Sequence, residues 1–384
     1  MKNIQRISDA FLFFFREESA GGVLLLLCAV IAMAVANSPF SDAYTHLLHT
    51  EVAVPGLSMS LLHWINDGLM VLFFFVVGME IKREFLYGEL KSLSATILPI
   101  AAAFGGMAVP ALFYFAFNAG LTTVSGWAIP MCTDIAFSLG VLAFAAKNVP
   151  KSVAVFLTAL AIVDDLGGIV VLAIFYSESP SFIALGAAAA VTAVLWIISK
   201  KDIRSPWLYL AGGIALWFAF HEAGVHPTVA GVLTGFLTPA GTEETREEAP
   251  LTRWEHALTP WNAFLIMPIF ALANAGIPLS ADSFLQLASP LGLGIIAGLS
   301  LGKPIGICLM VFLLIKLGIA GMPEGVRPVH FLGAGVLAGI GFTMSLFLAA
   351  LSFASPADLI TAKAAIVTAS ILSGLLGTAI FRFF

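Results

Sequence analysis

The chain has 384 residues, 60% of them hydrophobic and 11% charged, with a formal net charge of −5 and a mean hydropathy of +1.00. Soluble domains carry about 25% charged residues. A water-soluble molecule of this size has no interior large enough for so much apolar surface, so lipid is the expected solvent. The weak negative charge and the absence of a basic patch argue against a nucleic-acid partner. Cys28, Cys132 and Cys308 sit in apolar runs without CxxC or metal-ligand spacing, so they read as buried thiols rather than a disulfide or a metal site.

A membrane-crossing helix needs about 20 mostly apolar residues. Apolar runs divided by polar, Gly or Pro breaks give twelve candidates, at 14–36, 60–81, 95–117, 122–146, 152–176, 181–199, 206–220, 225–238, 258–276, 290–314, 329–353 and 358–382. The first ends in Ala34-Val35-Ala36, which resembles a signal-peptidase site. However, Arg16, Glu17 and Glu18 stand directly before the apolar run and the leader would be unusually long, so a retained helix is expected. Between the first two segments, Glu51–Val54 and Leu57–Ser60 flank Pro55-Gly56. They fit an external hairpin, able to pair with its copy in a dimer, or equally a plain ordered loop. Glu243 to Glu248 read as a solvated internal loop.

Basic residues orient the segments. Lys2, Arg6 and Arg16; Lys82, Arg83 and Lys91; Lys147 and Lys151; Lys200, Lys201 and Arg204; Arg246 and Arg253; Lys316 and Arg327; and Arg382 all fall in alternate connections. The opposite connections, 37–59, 118–121, 177–180, 221–224, 277–289 and 354–357, have none. The positive-inside rule then puts both termini in the cytoplasm of a multi-pass inner-membrane protein. Lys363, near the outer end of the last segment, is expected to snorkel to the surface. Lys303 lies well inside the tenth.

An Asp or Lys at mid-bilayer costs about 2.5–3.5 kcal/mol on insertion scales and so points to function. In the fourth segment, Pro130 removes a helix hydrogen bond just before Thr133 and Asp134, which reads as an interrupted helix. In the fifth, Asp164 and Asp165 are adjacent and therefore about 100° apart around a helix, flanking one pocket from two sides. Gly167 and Gly168 leave room for a neighbouring backbone. Such a pair titrates as a coupled unit and binds either protons or a hard cation. In the eleventh segment, Gly333 to Gly341 read as a second break or as close small-residue packing. Gly-rich breaks at corresponding places in two halves mark a transporter's midplane site. Asp134 would offset the positive half-helix N-termini and Lys303 the negative C-termini.

These stretches, Gly126 to Gly140, Ala159 to Gly168, Ala271 to Gly276, Gly302 to Gly306 and Gly339 to Ser345, resemble the NhaA family of bacterial sodium–proton antiporters across essentially the whole chain. The resemblance implies an all-α transporter of twelve transmembrane helices, a single domain over 1–384, with two interrupted helices that cross. Its inverted repeats would span roughly 95–176 and 290–382. It implies that Asp164 and Asp165 bind the transported Na+ or the protons, that Thr133 and Asp134 lie at the helix crossing, and that Lys303 supports it and pairs with Asp164. It further implies electrogenic exchange of inward protons for outward Na+ or Li+, in a homodimer, active at alkaline pH. Glu80, Arg83, Glu84, Glu255, His256 and His226 match the family's pH-response positions. From the residues alone, Glu80 to Glu84 also fit an ordinary charged helix end, and His226 a hydrogen-bonded interior histidine. No prosthetic group and no enzymatic activity are expected. An intramembrane aspartyl protease needs two Asp on different helices, usually within GxGD, which is missing here. A symporter of organic anions needs solute-binding polar groups beyond Asn274, and buried titratable carboxylates would trap ions in a channel.

Overall fold

The computed structural model describes residues 20–54, 57–88, 91, 93–145, 149–177, 181–323 and 325–383. Lys2, Arg6, Arg16, Glu17, Glu18 and Lys147, the start of the first apolar segment and the Pro55-Gly56 turn lie outside them. Among the described residues the chain is mostly helical. Seven helices are long and apolar enough to cross a membrane: Leu61–Tyr87, Thr96–Asn118, Lys151–Phe175, Phe182–Lys200, Pro250–Asn274, Pro290–Lys316 and Pro356–Phe383. Three pairs bent at a short break bring the number to ten: Ala20–Ala36 with Ser41–His49, Thr122–Met131 with Ile135–Ala145, and Pro328–Ala338 with Phe342–Ser352. The seventh and eighth apolar segments correspond to Pro206–Ala223 and the 10-residue Thr228–Leu237. At 1.5 Å per residue, ten residues cover only about half of a 30 Å hydrocarbon layer.

The described residues form two compact units. The first is made of the described residues within Met1–Pro39, Ser92–Gly168 and Asn274–Phe384. Within it the Leu93–Asn118 helix, which tolerates Pro99 and Pro110, packs on Lys303–Lys316. Gly105 and Gly306 face each other there, and a Cβ on either would overlap the other's carbonyl oxygen. Without a hydrophobic force between helices in lipid, such backbone proximity supplies the van der Waals contact. Phe156 and Phe331 meet edge-on with ring centroids 5.0 Å apart. Cys28 and Cys132 are buried free thiols, whereas Cys308 is half-buried. Lys363 does not reach the surface: it is buried with Ala362, Ala365 and Ile366 on the packed side of its helix.

The second unit is made of the described residues within Phe40–Lys91 and Ile169–Ala273. Its tightest contact joins Met70–Tyr87 to Thr228–Leu237, where Gly78, Gly231 and Gly235 each abut the other helix's backbone. A small core of Val76, Met79 and Leu251 lies beside it. Glu51–Val54 and Leu57–Ser60 pair as an antiparallel two-stranded ribbon, Glu51 opposite Ser60 and Val54 opposite Leu57. Phe182 and Ile183 on the Phe182–Lys200 helix are 84% and 89% exposed, as a lipid-facing surface requires.

Candidate functional site

The two bent pairs of the first unit build the site. Thr122–Met131 is a 3₁₀ helix that stops at Cys132, whose backbone is extended (φ −83°, ψ 150°), and the chain restarts as Ile135–Ala145 after a 47° bend. Pro328–Ala338 stops before Gly339-Ile340-Gly341 and restarts as Phe342–Ser352 after a 44° bend. Glycine is needed at both ends of this second break. A Cβ at Gly339 would overlap the Leu299 carbonyl, and one at Gly341 would sit 3.1 Å from the Cys132 carbonyl oxygen. Both readings of the glycine run therefore apply, since Gly335 also packs on Pro304.

Broken helices expose N–H groups at one end and carbonyls at the other. Asp134 joins the two breaks: its N–H donates to the Ile340 carbonyl at 2.7 Å. Its Oδ1 accepts from Phe137 N at 3.0 Å, capping Ile135–Ala145. Its Oδ2 accepts from Thr343 N at 3.1 Å and from the Thr343 hydroxyl at 2.5 Å, capping Phe342–Ser352. One carboxylate thus meets the positive ends of both half-helices. At the negative end of the 3₁₀ helix, Lys303 Nζ donates to the Met131 carbonyl.

Lys303 also pairs with Asp164, Nζ to Oδ2 at 2.6 Å, with both side chains fully buried. It starts the Lys303–Lys316 helix after a π-helical turn over Gly298–Gly302. Thr133 Oγ1 lies 2.8 Å from the same Asp164 oxygen and 2.9 Å from the Ala338 carbonyl. Its single proton serves one of these acceptors at a time. Asp164 Oδ1 is buried without a hydrogen-bond partner among the described residues. Asp165 is buried on the adjoining face of the helix. Gly167 and Gly168 face side chains rather than a backbone, Met107 and Cys132 respectively, so the expected backbone approach there is replaced by packing against sulfur. Thr133, Asp134, Asp164, Asp165 and Lys303 all belong to the first unit: Thr133 and Lys303 meet on one Asp164 oxygen, and Asp134, next to Thr133 in the chain, ties the two breaks together.

A model of the family described as Na+/H+ antiporter 1 matches residues 13–381. The chain belongs to that family. It is 51% identical to the Na(+)/H(+) antiporter NhaA 1 of Clostridium beijerinckii over 384 residues, 98% of this chain and 96% of the relative. It is 48% identical to the Na(+)/H(+) antiporter NhaA of Vibrio campbellii over 380 residues, 98% and 96% of the two chains. Against that of Vibrio cholerae strain O395 the identity is 47% over 379 residues, 98% of each. Antiporters are transporters rather than enzymes, and the apolar helices make this family member a multi-pass membrane protein.

The residues expected from the sequence to respond to pH, Glu80, Arg83, Glu84, Glu255, His256 and His226, lie in the second unit and separate into two groups. Arg83 Nη1 pairs with Glu255 and Nη2 with Glu84 at 3.0 Å, and Glu80 lies one turn earlier on the same helix. Glu255 is buried and its neighbour His256 is exposed, so adjacent residues on one helix face opposite environments. His226 is a buried, hydrogen-bonded histidine: Nδ1 lies 2.6 Å from Thr228 Oγ1, and Nε2 lies 3.5 Å from Asp67 Oδ1. Asp67 is a carboxyl-bearing residue inside the second apolar segment that sequence reasoning passed over, and its spacing from His226 gives no signal of the contact. Thr343, Ser138 and Ser345 were likewise visible only as small polar residues in apolar runs. Outside the membrane-spanning segments, Lys91 pairs with Glu243 at 2.6 Å and holds its carboxyl below the usual range.

Proposed function

We infer that this chain is a secondary sodium–proton antiporter that carries Na+ or Li+ outward in exchange for inward protons. The observation that carries the reading is a buried pair of adjacent carboxylates, Asp164 and Asp165, next to Lys303 and the meeting point of two broken helices. Carboxylate and hydroxyl oxygens suit a hard cation. Asp164 Oδ1 retains lone pairs for one, Thr133 supplies a hydroxyl, and Asp165 a second carboxylate. The same oxygens take protons, and competition between the two ligands is all that exchange requires. From outside, protons load Asp164 and Asp165; from inside, Na+ displaces them. When Asp164 is protonated or occupied by Na+, Lys303 keeps its bond to Met131 and steadies the crossing. The protein then works without a cofactor, driven by membrane potential as well as the proton gradient, and serves Na+ and pH homeostasis.

The architecture proposed for this cycle is a single domain over 1–384 with twelve spans and both termini in the cytoplasm of the bacterial inner membrane. Its inverted repeats would cover 95–176 and 290–382. The two bends of 47° and 44° in these stretches support that pairing. The ribbon at 51–60 would lie outside and pair across a homodimer. Activation at alkaline pH follows from the same competition, since a protonated pair cannot take Na+; Glu80, Arg83, Glu84, Glu255, His256 and His226 would only shift the midpoint. The test is Na+-dependent proton movement in sealed proteoliposomes. Asp164→Asn and Asp165→Asn should each abolish it, and a parental rate in either variant would overturn the reading.

A further inference from the structure

Among the described residues, several hydroxyls along the apolar helices bond to the carbonyl four residues earlier in the chain. Ser177, Thr192, Thr234, Ser352 and Thr368 all do so, as small hydroxyls in apolar helices generally do. Ser138 and Ser345 depart from this. Both are fully buried. Ser138 Oγ donates to the Leu337 carbonyl at 2.9 Å, and Ser345 Oγ donates to the Ile129 carbonyl at 2.8 Å. Each serine stands one turn into the second half of its own broken segment, its N–H bonded to Asp134 or Gly341. Each reaches the last turn of the first half of the other segment. The two bonds exchange places when the two segments are exchanged.

The Ile129 carbonyl lies in the last turn of its helix, where helical donors run short, and the Leu337 carbonyl, which already accepts from Ile340 N at 2.9 Å, gains a donor from the other segment. The bonds also bracket the chemistry. On one segment Thr133 and Asp134 lie between Ile129 and Ser138; on the other, Ala338 and Thr343 lie between Leu337 and Ser345. Loosening either bond frees one strand of the crossing to slide. The Thr133 hydroxyl would then leave the Asp164 oxygen that it now meets at 2.8 Å. A cation site tolerates only about 0.5 Å of such error.

We propose that Ser138 and Ser345 are positioning residues of the exchange site, a reciprocal pair of hydroxyl bonds that holds Thr133 against Asp164. This rests on the antiporter reading. Its effect falls on capture of Na+ rather than on the rate of the conformational cycle. A buried hydrogen bond is worth about a two- to tenfold change in an equilibrium constant. In proteoliposomes, Ser138→Ala and Ser345→Ala should each raise the KM for Na+ by about that factor, with the maximal rate within twofold of the parent. Ser→Thr variants, which keep the hydroxyl, should return the KM toward the parental value. An unchanged KM in both alanine variants, or a fall in maximal rate at unchanged KM, would overturn the proposal. Should an alanine variant not fold, Ser→Cys at the same position keeps the size with a weaker donor; a raised KM supports the proposal and a parental KM overturns it. A parent protein without Na+-dependent proton movement would instead overturn the antiporter reading itself.

Discussion

Replacing Lys303 by methionine tests the electrostatics of the crossing. Lys303 and Asp164 are both fully buried, so no solvent screens their 2.6 Å contact. Removing the ammonium strands the Asp164 carboxylate in a low dielectric and strips a donor from the Met131 carbonyl. Breaking a buried pair from one side costs about 3–5 kcal/mol, because the remaining charge is uncompensated. Asp164→Leu should cost a similar amount by stranding the ammonium. Replacing both together removes the uncompensated charge, and buried pairs exchanged for apolar residues of similar volume are often neutral in stability. The double variant should therefore be more stable than the sum of the single losses implies, by at least about 2 kcal/mol. Denaturant unfolding in detergent, followed by tryptophan fluorescence on all four proteins, gives this coupling. Additivity within about 0.5 kcal/mol would mean that the two groups act independently, and the reasoning would fail. Lys91→Ala is the control: its partner Glu243 is exposed, and the transition should not move.

Asp134→Ala should lower stability by about 1–2 kcal/mol for each of the two helix N-termini it caps, read in the same unfolding assay. Gly105→Val places branched carbon against the Gly306 carbonyl and should destabilise by about 1–3 kcal/mol, whereas Gly140→Ala, which meets nothing nearby, should not. If acid inhibition is competition at the aspartates, raising internal Na+ should move the pH profile of exchange toward lower pH. A profile that stays fixed would require a separate sensor. Arg83→Gln strands the buried Glu255 and should shift that profile's midpoint without abolishing exchange.

Much of this site was legible because lipid makes charge expensive: Asp134, Asp164, Asp165 and Lys303 stand out in apolar runs for a reason independent of fold. The alternation of Lys and Arg between connections is legible on the same ground. The breaks at Pro130 and Gly339 to Gly341 were visible as local chemistry, and the opposite signs of Asp134 and Lys303 followed from helix-end charge. What escaped depends on partners far away in sequence. That one carboxylate would cap two helices required Thr343 to arrive from another segment. Nothing local distinguishes Ser138 from a serine bonded back to its own helix. Asp67 and His226 meet although they stand 159 positions apart in the chain, and neither residue's neighbours announce the contact. Lys363 was misplaced because position along a helix says nothing about which side packs inward. Among the described residues the span count stops at ten because Pro206–Ala223 and Thr228–Leu237 are short or polar for a crossing, although each fills one of the apolar segments.

The most direct measurement is proton flux in sealed liposomes holding purified protein, triggered by a pulse of NaCl under a clamped membrane potential. Parent protein should move protons in proportion to Na+ and respond to the imposed potential, and protein carrying both Asp164→Asn and Asp165→Asn should give no flux above empty liposomes. Sodium-driven proton movement that survives loss of both carboxylates would contradict the claim that one buried acidic pair holds either ligand in turn.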